Sequence, residues 1–132
     1  MVTITKLLDG DSLTIIQVFM QGGDPGGELV NEVLIDPAEL DPPSKRIEVQ
    51  EIMHDFVGFD ATISFGSGLV DQTNIWVLPG VAAASYRDFR PFGNFRDRSG
   101  LDGTGKLQIS TKGFLTTDNV GSILLRVRKR TK

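Results

Sequence analysis

Cysteine is missing from the 132 residues, and with it any disulfide or thiolate metal site, a usage that suits a reducing compartment. Histidine is nearly missing as well. His54 is the single imidazole, so a metal site built on two histidines is excluded and a nucleophile triad has one such base to draw on. Its setting, Ile52-Met53-His54-Asp55-Phe56, reads as that of a structural histidine bonded to backbone or to Asp55. No stretch approaches the roughly 18 apolar residues of a membrane-spanning helix. Met1–Leu8 alternates polar and apolar side chains and lacks the basic region and apolar run of a signal peptide. A membrane is therefore not an expected partner.

Positive charge is sparse in most of the chain. The formal net charge is −3, but the last seven residues hold five of the fourteen basic side chains (Arg126, Arg128, Lys129, Arg130 and Lys132) and no acid. An acidic body with a basic tail is expected: one domain over 1–132, since roughly 100 to 200 residues make a domain, with a tail over 126–132. The tail reads as a solvated terminus or as an arm docking on an acidic neighbour or on nucleic acid. Nucleic acid is an unfavoured partner, because counterion release requires a sizeable basic face.

What the chain does contain is strand pattern and turn residues. Val2–Leu8 and Leu13–Met20 are predicted strands around the turn Asp9-Gly10-Asp11-Ser12, with Leu13, Ile15, Gln17 and Phe19 on one face. Gly22-Gly23-Asp24-Pro25-Gly26-Gly27 can hold no regular element. Glu28–Asp36 follows as a strand, then a helical turn with Asp36 as N-cap and Pro37 at its first position. Lys45–His54 alternates until Ile52 and Met53 fall adjacent, which predicts a bulge or an exit from the sheet. Phe59–Phe65, Thr73–Leu78, Lys106–Lys112 and Val120–Lys129 complete the set, and Gly80 to Gly105 shows no sustained period. About eight short strands separated by many of the 15 glycines predict an all-β fold, an antiparallel β-sandwich that is jelly-roll-like. Its core is expected from Ile4, Ile15, Ile47, Val49, Ile63, Trp76, Leu107, Ile109, Ile123, Leu125 and Val127.

No chemistry-bearing motif stands out. The acidic pair Asp9/Asp11 and the group Asp36/Glu39/Asp41 lack the spacing of a calcium loop, and the glycine-rich stretches lack the lysine and helix of a phosphate loop. No catalytic residue, metal ligand or cofactor is expected, and the chain is read as not an enzyme. Ser85–Gly100 is unusual in another way, with four arginines, three phenylalanines and a tyrosine in sixteen residues. Rigid aromatics and guanidinium forks are what interface hot spots use. Tyr86, Arg87, Phe89, Arg90, Phe92, Phe95, Arg96 and Arg98 are the expected partner-binding residues. The competing reading has Phe89, Phe92 and Phe95 plugging one end of the sandwich while Arg87–Asp88 and Arg96–Asp97 pair locally.

Trp76-Val77-Leu78-Pro79-Gly80, then Asp88-Phe89-Arg90-Pro91-Phe92-Gly93, then Gly103-Thr104-Gly105-Lys106-Leu107 and a Gly113 turn before a basic final strand, resembles small virion proteins of tailed bacteriophages. The match runs over roughly Ile75 to Arg130 and departs from the pattern at Asn94, where a second glycine is usual, and at Lys106, where an acid is usual. Such proteins resemble capsid decoration (cement) proteins. The resemblance implies a virion structural protein, made in the host cytoplasm and placed on the particle. It implies capsid or other virion proteins as partners, a homo-oligomer or array, and no catalytic residues. A neck or tail component and a carbohydrate-binding β-sandwich module are the alternatives.

Overall fold

The computed structural model describes residues 1–23, 27–66, 75–80, 84–97 and 105–130. Among these residues, ten strands form two antiparallel sheets: β1 (Val2–Asp9), β2 (Leu13–Gln21), β3 (Glu32–Ile35), β4 (Arg46–Val57), β5 (Asp60–Phe65), β6 (Ile75–Leu78), β7 (Ser85–Asp88), β8 (Phe95–Arg96), β9 (Leu107–Lys112) and β10 (Val120–Arg130). The larger sheet runs β1-β2-β10-β4-β7, with β8 also pairing with β4, and the smaller runs β3-β9-β5-β6. The chain crosses repeatedly between the sheets, and the result is the expected jelly-roll-like sandwich. One crossing is at Gly58, whose φ of +81° takes the chain from β4 into β5. Asn119 braces that corner. Its Oδ1 accepts from the Leu115 and Thr116 N–H groups, while its Nδ2 donates to the Val57 and Gly58 carbonyls.

Strand alternation decides what is buried. In β2 the even positions Thr14, Ile16, Val18 and Met20 face the smaller sheet, and in β10 the odd positions Ile123, Leu125, Val127 and Lys129 do so. Ile47, Val49, Ile52 and Phe56 of β4 meet Ile63 and Phe65 of β5 and Leu107 and Ile109 of β9 in the same core. Each such side chain contributes roughly 1.5–3 kcal/mol by leaving water. Aromatic clusters close two regions of it. Phe56 stacks on Phe59 at 4.6 Å and Phe59 tilts against Phe114 at 4.7 Å, while Phe65, Phe95, Phe89 and Trp76 form the second group.

Several expectations need correction. Ile15 lies on the outer face of β2 with Leu13, Gln17 and Phe19. These four do share a face, but the even face is the one the second sheet covers. Ile4 points inward on the edge strand β1, where it is 40 % exposed. Trp76 is half-buried against the core. The bulge of β4 falls at Gln50, because Arg126 pairs with Glu51 and Val127 with Val49, and the strand then continues through Ile52 and Met53 to Val57. Residues 80–105 are not structureless, since they contain β7, a 3-10 turn at Arg90–Phe92, and β8. The predicted helical turn is present as a 3-10 turn at Pro37–Glu39, capped by Asp36 Oδ1 accepting from the Ala38 N–H.

The run Arg126–Arg130, read from sequence as the start of a solvated tail, is the second half of a central strand. Its inward Lys129 is 2 % exposed, and its Nζ contacts Asp9 Oδ1 at 2.7 Å and donates to the Pro42 carbonyl at 3.0 Å. Burial alone pushes the Asp9 carboxyl up. The hydrogen bonds from Lys129, the Asp41 N–H and the Thr14 hydroxyl together outweigh it and lower the pKa to about 2.

Candidate interaction surface

Both faces of β7 and β8 carry residues singled out in the sequence, because alternate side chains on a strand point to opposite sides. On the inner side, Arg87 lies over the Trp76 ring at 5.1 Å, a cation–π placement. Phe89 and Phe95 are buried among Trp76 and Phe65, so neither is available for direct contact, as the plugging alternative anticipated. Phe92, at the 3-10 turn, is exposed, and Arg98 lies outside the described residues. A cleft of about 310 Å³ opens here, lined from β4 and β7 by Ile52, His54, Ser85, Tyr86 and Arg87, from β6 by Trp76 to Leu78, and by Pro79 just after it. His54 is buried, and its Nε2–H donates to the Pro79 carbonyl at 3.0 Å, the backbone role expected of it.

The outer side belongs to a broad face of the larger sheet that no part of the described chain covers. Ordered by register, one row reads Gln17–Leu124–Met53–Tyr86. On one side of it stands Phe19–Ser122–Asp55, and on the other Ile15–Arg126–Glu51–Asp88. Beyond that come Leu13–Arg128–Glu48–Arg96 and finally Arg130 opposite Arg46. Large apolar side chains stand open in the first rows, with Phe19 45 %, Leu124 39 %, Met53 44 % and Tyr86 56 % exposed. The last rows are rich in arginine.

Glu51 is the hub between the two zones. It accepts a hydrogen bond from the Tyr86 hydroxyl at 2.6 Å, and its Oε1 lies 3.1 Å from Arg90 Nη2 and 3.7 Å from Arg126 Nη1. Arg90 also holds Asp88 through two bonds of 2.9 Å, so the expected Arg87–Asp88 pair is replaced by Arg90–Asp88. The hydrogen bonds from Arg90 lower the Asp88 pKa, and that from Tyr86 to Glu51 raises the Tyr86 pKa. Thus Arg90 is committed within the chain. Arg96 is exposed on the outer face and has no ion pair among the described residues.

Sequence reasoning passed over Phe19, Met53, Leu124 and Arg46, and it placed Arg126 and Arg128 in a tail rather than on this face. The signal was present in β10, where Leu124, Arg126, Arg128 and Arg130 recur at every second position and so line one face. Counting the arginines as tail charge hid that period.

No family model and no curated protein matches the sequence. Solved structures resemble it in fold. They include an uncharacterized conserved protein with a double-stranded β-helix domain from Klebsiella pneumoniae (8 % identity, 99 % of this chain and 80 % of that one, TM-score 0.41). The structure of Tomato Aspermy Virus is another (9 % identity, 91 % and 79 %, TM-score 0.42). FeII HppE in complex with substrate is a third (10 % identity, 94 % and 53 %, TM-score 0.31). The expectation that the chain is not an enzyme is withdrawn, since the neighbours in fold include FeII HppE in complex with substrate. An all-β layout without a legible triad does not exclude catalysis. Similarity at this level assigns no reaction. Among the described residues no group of three His, Asp or Glu side chains is placed to hold a metal ion.

Proposed function

We propose that the chain is a structural protein of a virion, a capsid decoration (cement) protein that binds the outer shell through the open face of its larger sheet. The observation that carries the protein-binding part is the set of neighbouring apolar side chains Phe19, Leu124, Met53 and Tyr86, open to solvent beside an arginine-rich zone. Large exposed apolar patches rimmed by polar groups mark interaction surfaces. Aromatic and arginine side chains dominate binding energy where they occur at interfaces. The virion part is supported by the resemblance over Ile75 to Arg130 to small proteins of tailed bacteriophages. On this reading the sheet face closes over a seam between capsomers. It stabilises the shell because only the assembled shell presents that seam.

The test is made on particles of the phage whose genome encodes the chain. Mass spectrometry of purified virions finds the protein, and Leu124→Asp, which leaves the core untouched, removes it from the particle. Absence of the unaltered protein from virions overturns the reading.

A further inference from the structure

We infer that the arginine corner of the outer face is a site for clustered carboxylates, and that an acidic polypeptide segment of the partner occupies it. The inference rests on the outer face being the docking surface and names the chemistry of what docks there. Arg46, Arg96, Arg128 and Arg130 stand at the corner, with Arg126 one row inward. Arg130 is directly opposite Arg46. Like charges directly opposite on a ladder are destabilising, so the fold carries an electrostatic cost here that an anionic partner would relieve.

The chain's own acids do not meet this demand. Among the described residues, Glu48 is the one carboxylate in register with the corner arginines, and it is already engaged by Arg130 Nε at 2.9 Å and Asn94 Nδ2 at 2.9 Å. Arg46, Arg96 and Arg128 have no ion pair among the described residues. Arg126 reaches Glu51 only at 3.7 Å, and its Nε is shut off from solvent without an acceptor. A surplus of guanidinium groups thus sits on a protein whose formal net charge is −3. That concentration of opposite sign is complementary to clustered carboxylates.

The neighbouring rows decide between possible anions. Guanidinium forks take carboxylate and phosphate alike. Next to the arginines, however, Ile15, Leu124, Met53 and Tyr86 offer apolar area that a peptide with interspersed apolar residues covers and a phosphate backbone does not. The acidic remainder of the chain also opposes a long polyanion. A second copy is disfavoured, since three of the outward acids in these rows, Glu48, Glu51 and Asp88, are already engaged by the chain's own side chains, which leaves Asp55, too little for this corner.

The experiment titrates the full chain with a short fluorescein-labelled poly-L-glutamate peptide at low and moderate salt, and in parallel with a labelled oligothymidylate of equal charge. The peptide binds, more weakly as salt rises, and the Arg96→Ala/Arg128→Ala variant, unchanged in melting temperature, binds it roughly tenfold or more weakly. Arg128→Glu weakens it further, and Lys112→Ala, on the smaller sheet, does not. Tighter binding of the oligonucleotide overturns the inference, as do equal peptide binding by the arginine variants and a salt-sensitive dimer in which the face is consumed. Particle loading separates the two readings. Normal loading of the arginine variants alongside failure of Leu124→Asp ends the inference and leaves the docking face standing. Absence of the unaltered protein from particles ends the docking reading, whatever the peptide does.

Discussion

Leu124 and Leu125 are the same residue type on the same strand, one residue apart, and they live in different surroundings. Leu125 is wholly buried between the sheets, while Leu124 stands 39 % exposed on the face the smaller sheet does not cover. The contrast extends across the larger sheet. Its inner side is filled by Ile16, Val18, Ile123, Val127 and Phe56, its outer side by Phe19, Met53, Tyr86 and arginines. Both sides hold large apolar residues. Hydrophobicity therefore does not by itself mark the core; the presence of a second layer does, and apolar residues on the uncovered side are available for work other than folding.

The sharpest way to break this comparison is to truncate the two leucines separately. Leu125→Ala should cost about 2–5 kcal/mol by urea unfolding, through lost transfer energy and the cavity left behind. Leu124→Ala should stay within about 0.5 kcal/mol. Equal losses would mean that the outer face is also packed.

Asp9 and Lys129 test whether the inward polar positions belong to the core's energetics. The ordinary Asp9 pKa of 3.8 falls to about 2 in the folded chain. A depressed carboxylate pKa contributes stability that is complete above the unfolded value and disappears as pH falls through the folded one. Stability measured by denaturant should accordingly drop between about pH 4 and pH 2, by roughly 2 kcal/mol from this group. In Asp9→Asn that component should be missing from the pH profile, and its persistence would assign the acid sensitivity elsewhere.

Gly121 gives a smaller effect of opposite kind. A Cβ there would sit 2.6 Å from Phe56 Cδ1 and 2.8 Å from Phe59 Cζ, so the stacked rings must shift. Gly121→Ala should lose about 1–3 kcal/mol by overpacking, while Ser122→Ala on the outer face should be nearly neutral in thermal melts. Smallest of all is Phe92→Ser, an exposed position at the 3-10 turn, expected to leave stability within about 0.5 kcal/mol. A large loss there would reveal cover that the described residues do not supply.

Local pattern was enough to find most strands, the Asp36-capped turn and the backbone role of His54, because each depends on residues near in sequence or on one hydrogen bond. β7 and β8 were illegible. With four residues and two, they have no period to detect, and they are strands because β4 offers them an edge and because Phe89 and Phe95 gain a core by pairing there. The residues expected from sequence to bind a partner divided in the same way. Tyr86, Phe92 and Arg96 are exposed as expected of partner contacts, Phe89 and Phe95 went into the core, and Arg90 was consumed by Asp88 and Glu51, carboxylates that sequence gave no means of ranking.

From its sequence alone, this protein was bound to be an all-β chain held without disulfides, since absent cysteine, β-branched alternation and interspersed glycine act through local geometry and composition. Which parity of β2 faced inward, whether Arg126 to Arg130 hung free or entered a sheet, and where the surplus arginines gathered were settled only by the tertiary structure. The physical reason is that Leu13-Ile15-Phe19 and Ile16-Val18-Met20 are nearly equal in apolar content, so the choice between them rests on a second sheet assembled from strands far away in the chain.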